Sequence, residues 1–164
     1  MVDSASLQQN FIGRLGRSGA EPDAHQQRAL TACTELVQRI DRSLAESAAS
    51  RLWGLIPLRW LRGKPANGVT GLYLWGSVGR GKTLMMDTLL EALPPKTWRR
   101  VHFHRFMLEI HDGLRRLKDE KDPLRRISRE ISSETRVLGF DEFQVTDIGD
   151  AMILSGLLHA LIEN

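Results

Sequence analysis

The sequence predicts an α/β fold of the P-loop NTPase type, a parallel sheet flanked by helices and preceded by a helical segment. Three observations carry that expectation. From about residue 68 onward, short apolar runs alternate with helical patterns, and such alternation builds parallel sheets covered by helices. The string GSVGRGKT, residues 76–83, joins the first apolar run to the first of these helices. The acidic pair Asp141-Glu142 closes a later apolar run, at the carboxyl end of a strand, where open α/β sheets bind ligands.

Two parts are expected, a helical segment with a linker over 1–67 and the first part of a P-loop core over 68–164. Residues 1–20 are polar and read as loosely ordered. A helix is predicted from about residue 21 to 46, with Asp23 as its cap, because Leu30, Cys33, Leu36, Val37 and Ile40 recur at helical spacing. Residues 51–68 mix Trp53 and Trp60 with Arg51, Arg59, Arg62 and Lys64. They read as a linker whose tryptophans pack on the main domain; the other reading is a membrane-surface or partner-binding segment.

Strands are predicted over 72–75, 100–103 and 136–140. Helices are predicted over 82–92, 106–117 and 123–132, the last opened by Asp122 as cap and Pro123 at its first position. Thr146 or Asp147 caps a final helix to about residue 162.

Composition narrows the function classes. The chain has 164 residues, a net charge of +3 and 41% hydrophobic residues, values suited to one globular domain. Its single cysteine, Cys33, rules out an internal disulfide and reads as a core residue. No apolar run reaches the 18 or so residues of a membrane span. The first ten residues lack the basic and apolar regions of a secretory signal. A cytoplasmic protein is therefore expected. The mild positive charge does not argue for nucleic acid, and the arginine-rich stretch 114–130 has no interleaved aromatics, so a single-stranded nucleic-acid partner is a poor fit.

Gly76, Ser77, Val78, Gly79, Arg80, Gly81, Lys82 and Thr83 satisfy the pattern G-x-x-x-x-G-K-[ST]. Glycines permit positive φ and close approach of the backbone to an anion. Successive N–H groups and the start of the following helix then present positive potential to phosphate oxygens. In that arrangement Lys82 reaches the β- and γ-phosphates and the Thr83 hydroxyl binds Mg²⁺. The expected ligands are ATP and Mg²⁺.

Asp141 and Glu142 lie 59 and 60 positions after Lys82. Asp141 is expected to hold the metal, directly or through water, and Glu142 to orient and deprotonate the attacking water. With Lys82, Glu142 is the expected catalytic residue. The pair favours ATP hydrolysis. Two other readings stand beside it: a nucleotide- or partner-binding module without turnover, and a small-molecule kinase. His102 and His104 are expected on one face of the second strand, in a polar role near the γ-phosphate or a substrate surface. Arg115, Arg116, Lys118, Arg125, Arg126 and Arg129 read as solvated helix face or a basic patch.

The strings GLYLWGSVGRGKTLMMD, VHFHRFMLEIH, DPL and VLGFDEFQVTDIGDAMIL together resemble the ZapE family of bacterial cell-division ATPases, whose mitochondrial relatives act in protein quality control. The string PDAHQQRAL resembles that family's opening helical segment. The resemblance spans about residues 20–162. It implies an AAA+-like ATPase in the bacterial cytoplasm, peripheral to the inner membrane at the division site, acting on FtsZ polymers and capable of homo-oligomerisation. It also implies that a further strand with a sensor asparagine, an arginine reaching a neighbouring subunit and a helical lid lie beyond Asn164, so the chain reads as an N-terminal fragment. The neighbours expected for the 72–75 strand would lie there too. That strand then either pairs with 136–140 or keeps unpaired backbone groups.

Overall fold

A computed structural model describes residues 4–16, 21–52 and 71–163. The chain divides into two compact units, residues 1–93 and 94–164.

The first unit is helical. Helix α1 spans Ser4–Gly16, α2 spans Ala24–Leu52 and α3 spans Lys82–Glu91. The expectation of a loose N-terminus is corrected by α1. Leu7 and Phe11 stand one turn apart on it and are almost wholly buried, at 1% and 0% exposure, and α1 packs on both α2 and α3. Also buried in this unit are Leu30, Cys33, Leu36, Val37 and Ile40 of α2, with Met85, Leu89, Leu90 and Leu93 from α3 and its end. The apolar positions read from the sequence of α2 are thus its buried face. Arg14 of α1 pairs with Glu91 of α3 at the rim.

The 72–75 strand is not formed. Residues 71–77 carry no strand pairing, and the sheet found among the described residues has two strands, neither of them this segment. Leu72, Tyr73 and Trp75 are 37%, 66% and 82% exposed. Burial therefore supplies little drive for this segment to join a sheet. Trp53, Trp60 and the rest of residues 53–70 lie outside the described residues.

The second unit is a small α/β layer. Strand β1, Trp98–His102, pairs in parallel with β2, Val137–Asp141, with Trp98 opposite Val137 and His102 opposite Asp141. Between them run α4, Phe103–Arg116, and α5, Pro123–Glu134; α6, Ile148–Glu163, follows β2. The parallel pairing agrees with expectation. The first strand, however, ends before Phe103, so His104 belongs to α4 and does not share a strand face with His102. Phe103 is the reason: it turns into the core at 3% exposure, beside Phe106, Met107 and Ile110. Those spacings of three and four residues are helical.

This core is closed by Val101 of β1, Ile127 and Ile131 of α5, and Leu154 and Leu157 of α6, with Leu138 and Phe140 of β2 packed against it. Gly113 lets α4 and α5 approach; a Cβ there would lie 2.9 Å from Ile127 Cδ1. Asp122 caps α5 as its sequence predicts, its carboxylate accepting from the Arg125 N–H at 3.1 Å, with Pro123 in the first turn. Asp147 caps α6 by accepting from the Asp150 N–H at 3.2 Å. His111 Nε2 and Asp150 Oδ1, 2.7 Å apart, tie α4 to α6. Among the described residues, every buried side-chain polar atom has a partner.

Candidate functional site: a glycine loop and a carboxylate pair

The glycine-rich loop belongs to the first unit. Gly76, Gly79 and Gly81 have φ of 147°, 80° and 75°, values that only glycine adopts readily. Gly81 caps α3 with no side chain supplying a hydrogen bond. The first amides of a ten-residue helix therefore open onto the loop without a capping side chain, an arrangement that favours an anion. Lys82 begins that helix and folds back, its Nζ donating to the carbonyls of Gly76 at 2.9 Å and Ser77 at 2.8 Å. An anion bound in the loop would compete for those donors. Ser77, Val78, Arg80 and Thr83 are exposed. Thr83 stands in the first turn of α3.

The first turn of α2 meets this loop. Asp23 Oδ1 accepts from the N–H groups of His25 and Gln26, each at 2.8 Å, and Gln26 Oε1 accepts from the Asp23 N–H at 2.9 Å. This reciprocal cap leaves the Gln26 amide nitrogen to donate to the Arg80 carbonyl at 3.2 Å. Arg80 Nη1 lies 3.4 Å from Asp23 Oδ2. The Gln26 N–H holds the Asp23 carboxyl below its ordinary value; desolvation opposes it, and the His25 N–H and the Arg80 charge add to the lowering. Beside the loop lies a cavity of about 520 Å³ whose lining includes Asp23, Gln26, Ala29, Trp75, Lys82 and Met85. The capping role of Asp23 is legible in the sequence, but the contact of Gln26 with Arg80 is not; the only signal is the D-x-x-Q spacing of a capping box.

The carboxylate pair belongs to the second unit. Asp141 ends β2, as expected, and its side chain is 17% exposed. Its Oδ1 accepts from the Glu142 N–H at 3.1 Å. Its Oδ2 lies 2.5 Å from Arg100 Nη2 of the neighbouring strand. Glu142 is exposed and holds a φ of 52°, a left-handed conformation uncommon for any residue with a Cβ. Aromatic packing fixes this corner: Phe143 lies 4.7 Å from Phe103 and 5.7 Å from Phe140, ring centre to ring centre. Neither the left-handed turn at Glu142 nor the Arg100 contact could be read from the sequence. The pairing of strands places them.

The other polar expectations resolve differently. His102 ends β1 and His104 lies in the first turn of α4, both exposed. The arginine-rich stretch is largely matched by carboxylates: Arg115 with Asp112, Arg116 and Arg126 with Glu130, and Arg125 with Glu163. Four of its arginines are thus neutralised locally, while the stretch as a whole stays net positive. Among the described residues no three His, Cys, Asp or Glu side chains gather as a metal-binding group. Mg²⁺ does not need one, since it is usually held by one or two carboxylates together with phosphate oxygens and water. Each unit separately offers an oxygen donor of the kind it takes, Thr83 in the first and Asp141 in the second.

The profile of AFG1-like ATPases matches residues 5–164. The chain belongs to the AFG1-like ATPase family. It is 37% identical to "Cell division protein ZapE" of Escherichia coli over 163 residues, 98% of this chain and 44% of that protein. It is 39% identical to "Lactation elevated protein 1 homolog B" of Danio rerio over 104 residues, 57% of this chain and 21% of that protein. This AFG1-like chain thus spans less than half the length of these curated relatives. No solved structure matches it. No helix among its described residues is long and apolar enough to cross a membrane.

Proposed function

We propose that this AFG1-like chain binds ATP through residues 76–83 and contributes Asp141 and Glu142 to its hydrolysis. The observation that carries the reading is the glycine loop: three positive-φ glycines run into an α3 N-terminus that no side chain caps, with Lys82 poised in the same loop. Family membership supports it. The complete reading is a P-loop, AAA+-like core that begins near residue 68.

In this reading the amides of the loop and of the α3 N-terminus bind the phosphates. Lys82 exchanges its bonds with the Gly76 and Ser77 carbonyls for bonds to the β- and γ-phosphates. The cavity beside the loop takes the nucleoside. Thr83 and Asp141 would hold Mg²⁺, which when bound neutralises charge on the phosphate oxygens. Glu142 is the base that orients and deprotonates water; its left-handed backbone turns it out of the strand direction, where it is open to solvent. The name of the bacterial relatives supports a role in cell division, and the resemblance to ZapE supports FtsZ polymers as client, with a homo-oligomeric, cytoplasmic enzyme peripheral to the inner membrane.

Phosphate release from ATP tests the mechanism. Lys82→Ala and Glu142→Gln should each lower turnover by at least about tenfold, a minimum set below the roughly hundredfold or more that a positioned charge or base contributes. Wild-type turnover in both variants would overturn it. For the 164-residue chain alone, nucleotide binding without phosphate release would favour the binding-module reading.

A further inference from the structure

We propose that Arg100 holds the Asp141 carboxylate until a divalent cation takes it, so that Arg100 sets the cation affinity of this site. The inference rests on the reading of Asp141 as a metal residue. Arg100 stands opposite Gly139, one strand over, and two residues before His102, the register partner of Asp141. Gly139 has no side chain to stand in the way of the guanidinium as it reaches forward to Asp141 Oδ2. The other oxygen, Oδ1, accepts from the Glu142 N–H. Both oxygens of the carboxylate are therefore engaged within the second unit.

The exposures of the two partners differ. Asp141 is 17% exposed and Arg100 35% exposed. A carboxylate so shielded needs a compensating charge, and Arg100 supplies it. A divalent cation at Asp141 would repel the guanidinium at that distance. Arg100 is the partner with access to water, so it is the one that yields. The exchange costs the cation part of its binding energy, and removing Arg100 should return it. Arg100 is a positioning residue in this account, since it touches Asp141 and no reacting atom.

Mn²⁺ is the probe, with ADP present, and the readout is paramagnetic broadening of the Gly139, Phe140 and Glu142 amide signals in the whole chain. Arg100→Met should lower the Mn²⁺ concentration for half-broadening by at least about threefold, within the range of a partly exposed ion pair. Arg100→Lys, which keeps the charge but loses the planar fork, should shift it less and in the same direction; it also serves if the methionine variant does not fold. Arg99→Met removes a neighbouring charge that pairs with Glu109 and should leave the midpoint in place. An unchanged or raised midpoint in both Arg100 variants would overturn the proposal, as would an equal shift in Arg99→Met. Asp141→Asn separates the two layers of the argument. If it abolishes broadening while the Arg100 variants shift nothing, the exchange fails and the metal role stands. If it leaves broadening intact, the metal role fails and the exchange with it.

Discussion

Lys82 and Cys33 show how one residue type takes its meaning from its neighbours. Lys82 is tied to two loop carbonyls in a backbone made of left-handed glycines, so its ammonium is kept where an anion would arrive. Cys33 is at 0% exposure among the apolar side chains of the first unit, and burial pushes its thiol up to about 11 from 9.0. The neutral thiol is therefore favoured by folding. Its contribution to stability is complete below pH 9 and is lost as pH rises from 9 toward 11. An alkylating reagent at pH 8 should leave Cys33 unmodified in the folded chain and label it fully in denaturant, which mass spectrometry reads directly. Rapid labelling without denaturant would show that the site opens.

At the scale of elements, α1 is the clearest case. Its polar composition hides two side chains, Leu7 and Phe11, that are among the most buried in the molecule. Deleting either side chain leaves a cavity that α2 and α3 can only partly fill. Phe11→Ala should cost about 3–5 kcal/mol and Leu7→Ala about 2–5 kcal/mol, measured by urea denaturation of the first unit through α-helical circular dichroism. Values under about 1 kcal/mol would mean that α1 is not part of the folded unit. Strand β1 and helix α4 teach a related lesson. The alternation His102, His104 looks like a strand face, but Phe103, Phe106, Met107 and Ile110 follow helical spacing, and the burial of that stripe decides the conformation.

For the whole molecule, the phosphate loop and the carboxylate pair fall in separate compact units, and the proposed chemistry draws on both. Binding to the native chain must stabilise it by mass action. ATP at a hundredfold excess over its dissociation constant should add about 2.7 kcal/mol, seen as a rise in the thermal midpoint. Lys82→Ala should remove most of that rise without lowering the midpoint of the nucleotide-free chain, because the Lys82 bonds among the described residues go to exposed carbonyls of its own loop. The rise persisting undiminished in Lys82→Ala would place nucleotide binding elsewhere.

Much of this architecture is legible in the sequence. The G-x-x-x-x-G-K-T string fixes the loop and the start of α3, because its glycines are the residues that tolerate those φ values and its apolar flank demands a buried helix. Asp122 and Asp147 mark their helix starts because capping is local. The apolar periodicity of α2 marks its buried face for the same reason. Local chemistry of this kind depends on residues within one or two turns, so the sequence displays it. What the tertiary structure decided depends on distant partners. Residues 72–75 have the composition of a strand, yet join no sheet among the described residues. Asp141 has the position of a metal residue, yet its immediate partner is Arg100, 41 residues earlier. No periodicity encodes that contact; it exists because β1 and β2 pair in parallel and bring the two charges to the same edge.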